Sequence, residues 1–299
     1  MKSLHFDCFS GASGDMILGA LLDLGVSIDG VRAALGSLAI EYGDVSVGRV
    51  VRSGVSATKF RVHEPGSREA EGDHSHEHGG HAHSHHHAHA HHAHGHHSLK
   101  EITAAIQRSA LSGAGKARAV HLFERLAEAE AAVHDMPVEK VHLHEVGAID
   151  SIVDIVGAVY ALEEVGATRI TSSPLNVGGG TVTCAHGVLP VPAPATARLL
   201  QGVPVYSGAV QAELVTPTGA LLITDYASAF GTMPPMRIDA TGYGAGDRDF
   251  PGHPNVLRAF IGEEIWERIT VANAERFLGI APGLAEGGIP VPIVIAPGG

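Results

Sequence analysis

The sequence predicts an α+β domain in which a mixed sheet with flanking helices is interrupted by a disordered His-rich loop. Three observations carry that expectation. Runs with the period-two alternation of a half-buried strand intermingle with runs whose apolar residues recur at helical spacing. The 299 residues are 44% apolar and 17% charged, enough to bury a sizeable core. Residues 64–97 collapse to His, Ala, Gly, Ser and acidic residues, with no aliphatic side chain larger than alanine, and so bury too little surface to offset the entropy of ordering.

The elements follow in order. LHFDCF reads as a short strand, SGASG as a turn, and MILGALLDLG as a helix that Gly25 stops. A second short helix covers about Val31 to Leu38. DVSVGRVV and VSATKFRV, separated by RSG, form a β-hairpin in which no chemistry is evident. Ordered structure resumes at Ser98, which with Glu101 matches a capping box opening LKEITAAIQRS, and a longer helix runs from roughly Lys116 to His134. PVEKVHLHEVG is a polar segment feeding an apolar helix that ends at Gly166. RITSSPLNV, TVTC, VPVYS, MRIDATGYG and NVLRAFIG read as strands, interleaved with helices near Ala193 to Leu200 and Thr218 to Phe230. Residues 1–262 thus form one domain, and residues 263–299 form a poorly packed or aberrant tail rich in Gly and Pro.

The formal charge of −12 argues against a nucleic-acid groove or an anionic membrane surface as partner and favours cations or small molecules. The opening residues do not resemble a secretory signal, and no run is long enough to span a bilayer. Two cysteines, Cys8 and Cys184, are too few for a disulfide framework. A cytoplasmic location is the expectation.

Four constellations carry chemistry. The first is the tract from His74 to His97, fourteen histidines in twenty-four positions: His74, His76, His78, His81, His83, His85, His86, His87, His89, His91, His92, His94, His96 and His97. Imidazoles titrating near 6.5 are mostly neutral at about pH 7 and offer a lone pair to Ni, Cu or Zn. The tract is a reservoir that buffers metal without selecting it. An inert linker is the bland alternative.

The second is HLHEVGAIDSIVD. If residues 141 to 145 are extended, His142 and His144 share a face; Asp150 and Asp154, four apart on the next helix, share another, and Glu145 lies between. Such mixed nitrogen and carboxylate donors suit Ni, Zn, Mn or Fe. The competing account makes Asp150 a helix-dipole partner and each histidine a satisfied surface residue. The third is CAHG, whose Cys184 and His186 are either two metal ligands or a core thiol beside an ordinary histidine. Cys8, between aromatic residues, reads as core.

The fourth is a pair of anion-binding turns. Ser10, Gly11, Ser13 and Gly14 lead into a helix start, and Thr216 and Thr218 open another; both suit a phosphate, with ordinary capping as the default and Asp15 a candidate cap. No nucleoside-triphosphate motif is present.

Together, FDCFSGASGDM, HLHEVGAIDSIVDIVGA, CAHGVLPVPAPAT, ELVTPTGA and GYGAGDRDFP resemble the LarC family, the nickel-insertion proteins of nickel-pincer nucleotide cofactor synthesis, from residue 1 to about Gly262. The resemblance implies a nickel chelatase of the lyase class that inserts Ni(II) into pyridinium-3,5-bisthiocarboxylic acid mononucleotide, coupled to CTP with Mg(II) or Mn(II). Its product serves apo lactate racemase and related enzymes. Full-length members continue into a CTP-associated C-terminal domain that is absent here, which implies a separately encoded C-terminal half as partner. A homo-oligomer is expected.

The resemblance assigns no residue roles, so catalytic residues stay unassigned and the others follow from chemistry. Insertion needs an exchangeable first shell, which gives His142, His144, Glu145, Asp150, Asp154, Cys184 and His186 as metal ligands and the two turns as the substrate-phosphate grip. A non-catalytic nickel store or metallochaperone is the competing function, and a metal-dependent hydrolase the third.

Overall fold

The computed structural model of the chain describes residues 1–38, 44–63, 98–141, 149–184 and 187–265. Its strands are β1 (Lys2–Asp7), β2 (Asp44–Arg52), β3 (Val55–His63), β4 (Arg169–Ser172), β5 (Leu175–Asn176), β6 (Thr181–Cys184), β7 (Gly187–Pro190), β8 (Val205–Tyr206), β9 (Ala229–Phe230), β10 (Met236–Ala245) and β11 (Val256–Glu264). Its helices are α1 (Gly14–Asp23), α2 (Ile28–Gly36), α3 (Leu99–Arg108), α4 (Gly113–His134), α5 (Ile149–Val165), α6 (Pro194–Leu199) and α7 (Pro217–Tyr226).

Seven strands form one mixed sheet in the order β2-β3-β10-β11-β1-β4-β9. β1 lies at its centre-right, antiparallel to β11 and parallel to β4. Two small ribbons, β5-β8 and β6-β7, stand apart from it. The α+β expectation holds: a mixed sheet carries helices against it, and the helices build outward from α1. Every residue of α1 from Met16 to Leu21 is buried, because the sheet strands β3, β10 and β11 cover one side and α5 the other. α5 is apolar around nearly its whole circumference for the same reason, with α2 and α4 on its outer side and α7 beside it.

Glycines set how closely α1 can approach. A Cβ at Gly19 would stand 2.6 Å from the Thr58 carbonyl oxygen, and a Cβ at Gly244 would fall inside the carbonyl of Met16. The helix backbone therefore rests on the strand backbone.

Several local rules read from the sequence act as expected. The Ser98 hydroxyl accepts from the Glu101 N–H at 3.3 Å while the Glu101 carboxylate accepts from the Ser98 N–H at 2.8 Å, completing the capping box of α3. Others were displaced by tertiary context. α4 begins at Gly113, three residues before Lys116, because the Ser112 hydroxyl accepts from the Gly115 N–H at 2.8 Å. RITSSPLNV splits into β4 and β5 around Pro174, which has no N–H to give to a ladder. The helix expected to reach Phe230 stops at Tyr226, and Ala229 and Phe230 join the sheet edge beside Thr171 and Ser172. β11 runs to Glu264, whose carboxylate accepts from Arg169 at 2.7 Å and from the Ser3 hydroxyl at 3.2 Å.

Gly244→Ala should lower stability by roughly 1–3 kcal/mol by prising α1 off β10. A fall in the urea midpoint with an unchanged slope checks it; an unmoved midpoint would mean that the close approach carries no weight.

Candidate functional site

The N-terminus of α1, the end of β3, the start of α5 and the turn after β10 enclose a cleft of about 350 Å³ lined by Asp15, Lys59, Phe60, Arg61, Val62, His63, Asp150, Asp154 and Asp247. Four carboxylates from three distant segments meet there around one buried amine. Lys59 is 2% exposed. Its ammonium pairs with Asp15 and lies 2.8 Å from Asp247 Oδ1. Asp15 also accepts from the Ser13 hydroxyl, so it serves the cleft and gives α1 no side-chain cap.

Asp150 and Asp154, one helical turn apart on α5, both face this cleft. Asp150 sits exposed in the first turn of α5, where its charge also suits the helix dipole. Asp154 retains some solvent contact along one edge, but its Oδ1 is sealed from water and has no hydrogen-bond partner among the described residues. Gly14 makes this packing possible, since a Cβ there would lie 2.6 Å from the Asp154 Cβ. Burial, then the charges of Asp15 and Asp150, push the Asp154 carboxyl well above the usual carboxylate range, against the opposing pull of Lys59. A buried polar atom without a partner is costly, and the raised carboxyl lowers that cost by favouring its neutral, protonated form.

The two turns expected to hold a phosphate come side by side. The Ala12 N–H donates to the Leu214 carbonyl at 2.9 Å and the Thr216 N–H to the Ala12 carbonyl at 3.1 Å, which sets the α1 and α7 starts next to each other. Their groups already have protein partners: Ser10 Oγ meets His253 Nε2 at 2.9 Å, the Gly11 N–H donates to the Cys8 carbonyl, Ser13 reaches Asp15, and Thr216 caps α7 through the Gly219 N–H. Thr218 is buried. Gly11, at φ +82, needs glycine for its left-handed turn against Leu214.

Cys184 is half-buried in the β6-β7 hairpin, outside the residues that line the cleft. Cys8 is core, with its thiol pushed up to about 12 by burial, and so is no thiolate at neutral pH. His142, His144, Glu145, His186 and all fourteen histidines of the tract lie outside the described residues. Among the described residues no group of three or more His, Cys, Asp and Glu side chains is arranged to hold a metal ion; two of the four aspartates are turned to Lys59 instead.

Besides Asp15, read only as a cap, sequence reasoning missed four ionisable cleft residues. Lys59, Arg61 and His63 sit on a hairpin strand whose alternation gave no chemical signal, and Asp247 falls in a glycine-rich turn.

This fold and cleft define a class: an α+β protein whose acidic cleft is built around a buried lysine. The chain belongs to the nickel insertion protein family, whose model matches residues 4–276. It is 48% identical over 277 residues to the pyridinium-3,5-bisthiocarboxylic acid mononucleotide nickel insertion protein of Geobacillus kaustophilus, covering 93% of this chain and 63% of that relative. The protein of the same name from Desulfitobacterium hafniense is 41% identical over 263 residues, covering 88% of this chain and 59% of the relative. The chain thus spans about three-fifths of the length of these relatives. No solved structure gives a significant match. Among the described residues no helix is long and apolar enough to cross a membrane.

The raised Asp154 carboxyl makes stability pH-dependent with a definite sign. The folded state holds this proton more tightly than the unfolded chain, so the group's contribution is full below the unfolded value, near 3.9, and is lost as pH climbs through the raised folded value. Asp154→Asn removes that dependence. In chelator-treated protein the variant should gain stability relative to the parent as pH rises, by about 1.4 kcal/mol per unit of raised pKa. Parallel stability–pH curves for the two proteins would refute this account of Asp154.

Proposed function

We propose that this chain carries out nickel insertion into pyridinium-3,5-bisthiocarboxylic acid mononucleotide and that the acidic cleft is where the Ni(II) cargo is held before transfer. The observation that carries the reading is Asp154, whose sealed Oδ1 has no partner among the described residues, in a chain of the nickel insertion family. An exchangeable first shell is what transfer requires, because nickel must leave the protein for sulfur and carbon donors on the substrate. Carboxylates with imidazoles from the HLHE segment would provide such a shell: Asp150 and Asp154 with His142, His144 and Glu145, which precede α5 in the sequence. Cys184 and His186 are retained as ligand candidates on the separate hairpin. The paired turns at Ser10, Gly11, Ser13 and Gly14 and at Thr216 and Thr218 are the proposed grip on the substrate phosphate, since two helix starts converge there.

The tract acts as reservoir. β3 ends at His63 on the wall of the cleft, and eleven residues later His74 begins the tract, so the backbone tethers the tract, with any metal it coordinates, to the site it feeds. The finer steps rest on the family resemblance: coupling to CTP with Mg(II) or Mn(II), classification as a lyase, delivery to apo lactate racemase and related enzymes, homo-oligomerisation and a cytoplasmic location. The family resemblance assigns the CTP-dependent step to a C-terminal half, and a separately encoded one is the proposed partner. The histidine tract favours a second reading, a nickel store or metallochaperone without catalysis of its own.

Cofactor formation from the mononucleotide, CTP and Ni(II) in the presence of that C-terminal half tests the first reading. Complete inactivity would leave the second. Deleting residues 74–97 should abolish bulk nickel binding while insertion persists; loss of both together would make the tract part of the transfer site. Gly14→Ala, which displaces Asp154 without changing any charge, should cut insertion at least tenfold in the tract-deleted chain. Full activity in that variant would remove Asp154 from the site.

A further inference from the structure

The main sheet has a second face, and its side chains are unlike those under α1. Alternation along β11 sends Leu257 and Ala259 into the core beneath α1 and therefore turns Arg258 and Phe260 the other way. Register continues the pattern on the neighbouring strands: Asp7 of β1 and Tyr243 of β10 flank Arg258, while His5 and Thr241 flank Phe260. Aromatic residues make up only 5% of the chain, yet several gather here. The Arg258 guanidinium lies 5.6 Å from the Phe9 ring centre and 5.3 Å from that of Phe260, and Asp7 accepts from its Nε at 3.0 Å. The Phe9 ring meets the His253 ring at 5.7 Å, and Phe250 meets the same histidine at 6.4 Å. The β5-β8 ribbon adds Tyr206, whose pairing partner Asn176 donates from Nδ2 to the Phe9 carbonyl at 2.8 Å. Phe9, Tyr243, Phe250 and Phe260 are only half-buried, Tyr206 is exposed, and the Arg258 side chain keeps 39% of its surface in water.

Half-exposed rings around one guanidinium offer flat apolar surface and a planar, forked donor together, which is the chemistry that holds a flat aromatic anion. The face also runs into the turn proposed to grip phosphate. Phe9 precedes Ser10 in the chain, and Ser10 Oγ meets Nε2 of His253, the histidine stacked with Phe9, at 2.9 Å. We propose that this face seats the pyridinium ring of the mononucleotide: the ring lies against Phe9, Phe260 and Tyr206, Arg258 meets a thiocarboxylate, and the ribose phosphate reaches the Ser10 turn. The identity of the ligand rests on the insertion reading; the residues by themselves ask for a flat, anionic aromatic mononucleotide. Charge fits in both directions. The cationic ring suits the faces of phenyl and phenol groups and the carboxylate of Asp7, whereas the acidic substituents suit Arg258. Stacking also accounts for an arginine at this position, because a lysine of equal charge has no plane to share with the rings.

Equilibrium dialysis of the metal-free chain against pyridinium-3,5-bisthiocarboxylic acid mononucleotide, with neither Ni(II) nor CTP present, tests the seat. Phe260→Leu keeps an apolar side chain and removes the flat face; affinity should fall roughly fivefold or more, the scale of one lost stacked ring. Arg258→Lys keeps the charge and should lose at least as much. If either variant fails to melt cooperatively, Tyr206→Ser, at an exposed position, decides in its place with the same expected loss. Folded variants that bind as tightly as the parent, or a parent that binds no mononucleotide, would overturn the proposal. Cofactor formation with Ni(II), CTP and the C-terminal half judges the insertion reading separately. Binding that depends on these residues without any cofactor formed sinks that reading and keeps the seat, whereas cofactor formation with the variant affinities unmoved sinks the seat and keeps the reading.

Discussion

The backbone-to-backbone contact between α1 and the strands β3 and β10 fixes nearly everything else in the molecule. It exists because Gly19 and Gly244 have no Cβ to keep the helix away. With α1 seated, its N-terminus can stand only at one place along β3, and Asp15 arrives at Lys59. Gly14 then leaves room for α5 to bring Asp154 alongside. The charged cluster is therefore a product of apolar packing. Burial of side chains such as Ile17, Leu18 and Leu21, each worth about 1.5–3 kcal/mol, holds in place an arrangement of charges that would repel one another if left alone.

That dependence accounts for what the sequence disclosed and what it hid. Local rules were legible wherever a few neighbouring residues decide the outcome: the capping box at Ser98 and Glu101, the glycine stop of α1, the alternation of β2 and β3, and the inert core position of Cys8. Asp150 and Asp154 were legible as a pair because the helical period alone puts them on one face. Lys59 was not. On an alternating strand a lysine ordinarily points to water, and only the arrival of Asp15 and Asp247 from remote parts of the chain turns that position into an interior ion pair. Asp15 illustrates the same limit from the other side: a carboxylate in the first turn of a helix has a sufficient local explanation as a cap, and the local explanation conceals the tertiary one. Phe230 and the β9 edge show tertiary pairing overriding helical periodicity at an element boundary.

The turns at the starts of α1 and α7 carry a related lesson. Their small hydroxyl-bearing residues look like an anion cradle, and the fold does bring the two together, yet most of the hydrogen-bonding groups that make them attractive are spent on joining the segments: Ala12 with Leu214 and Thr216, Ser13 with Asp15. Composition reports which groups a turn owns. Whether they stay available depends on partners two hundred residues away.

The pairing of β1 with β11 has a consequence for how the protein comes into being. Lys2 faces Glu263 and Asp7 faces Arg258, so β1, synthesised long before β11, has its antiparallel partner among the last of the described residues. At about 5–20 residues per second, the opening strand waits on the order of ten seconds or more for its mate, with Leu4 and Phe6 uncovered. Throughout that interval α1 has no finished surface to rest on. A nascent chain of this topology offers a long-lived apolar segment to chaperones, and a message broken anywhere before β11 yields a polypeptide whose central strand never finds its place.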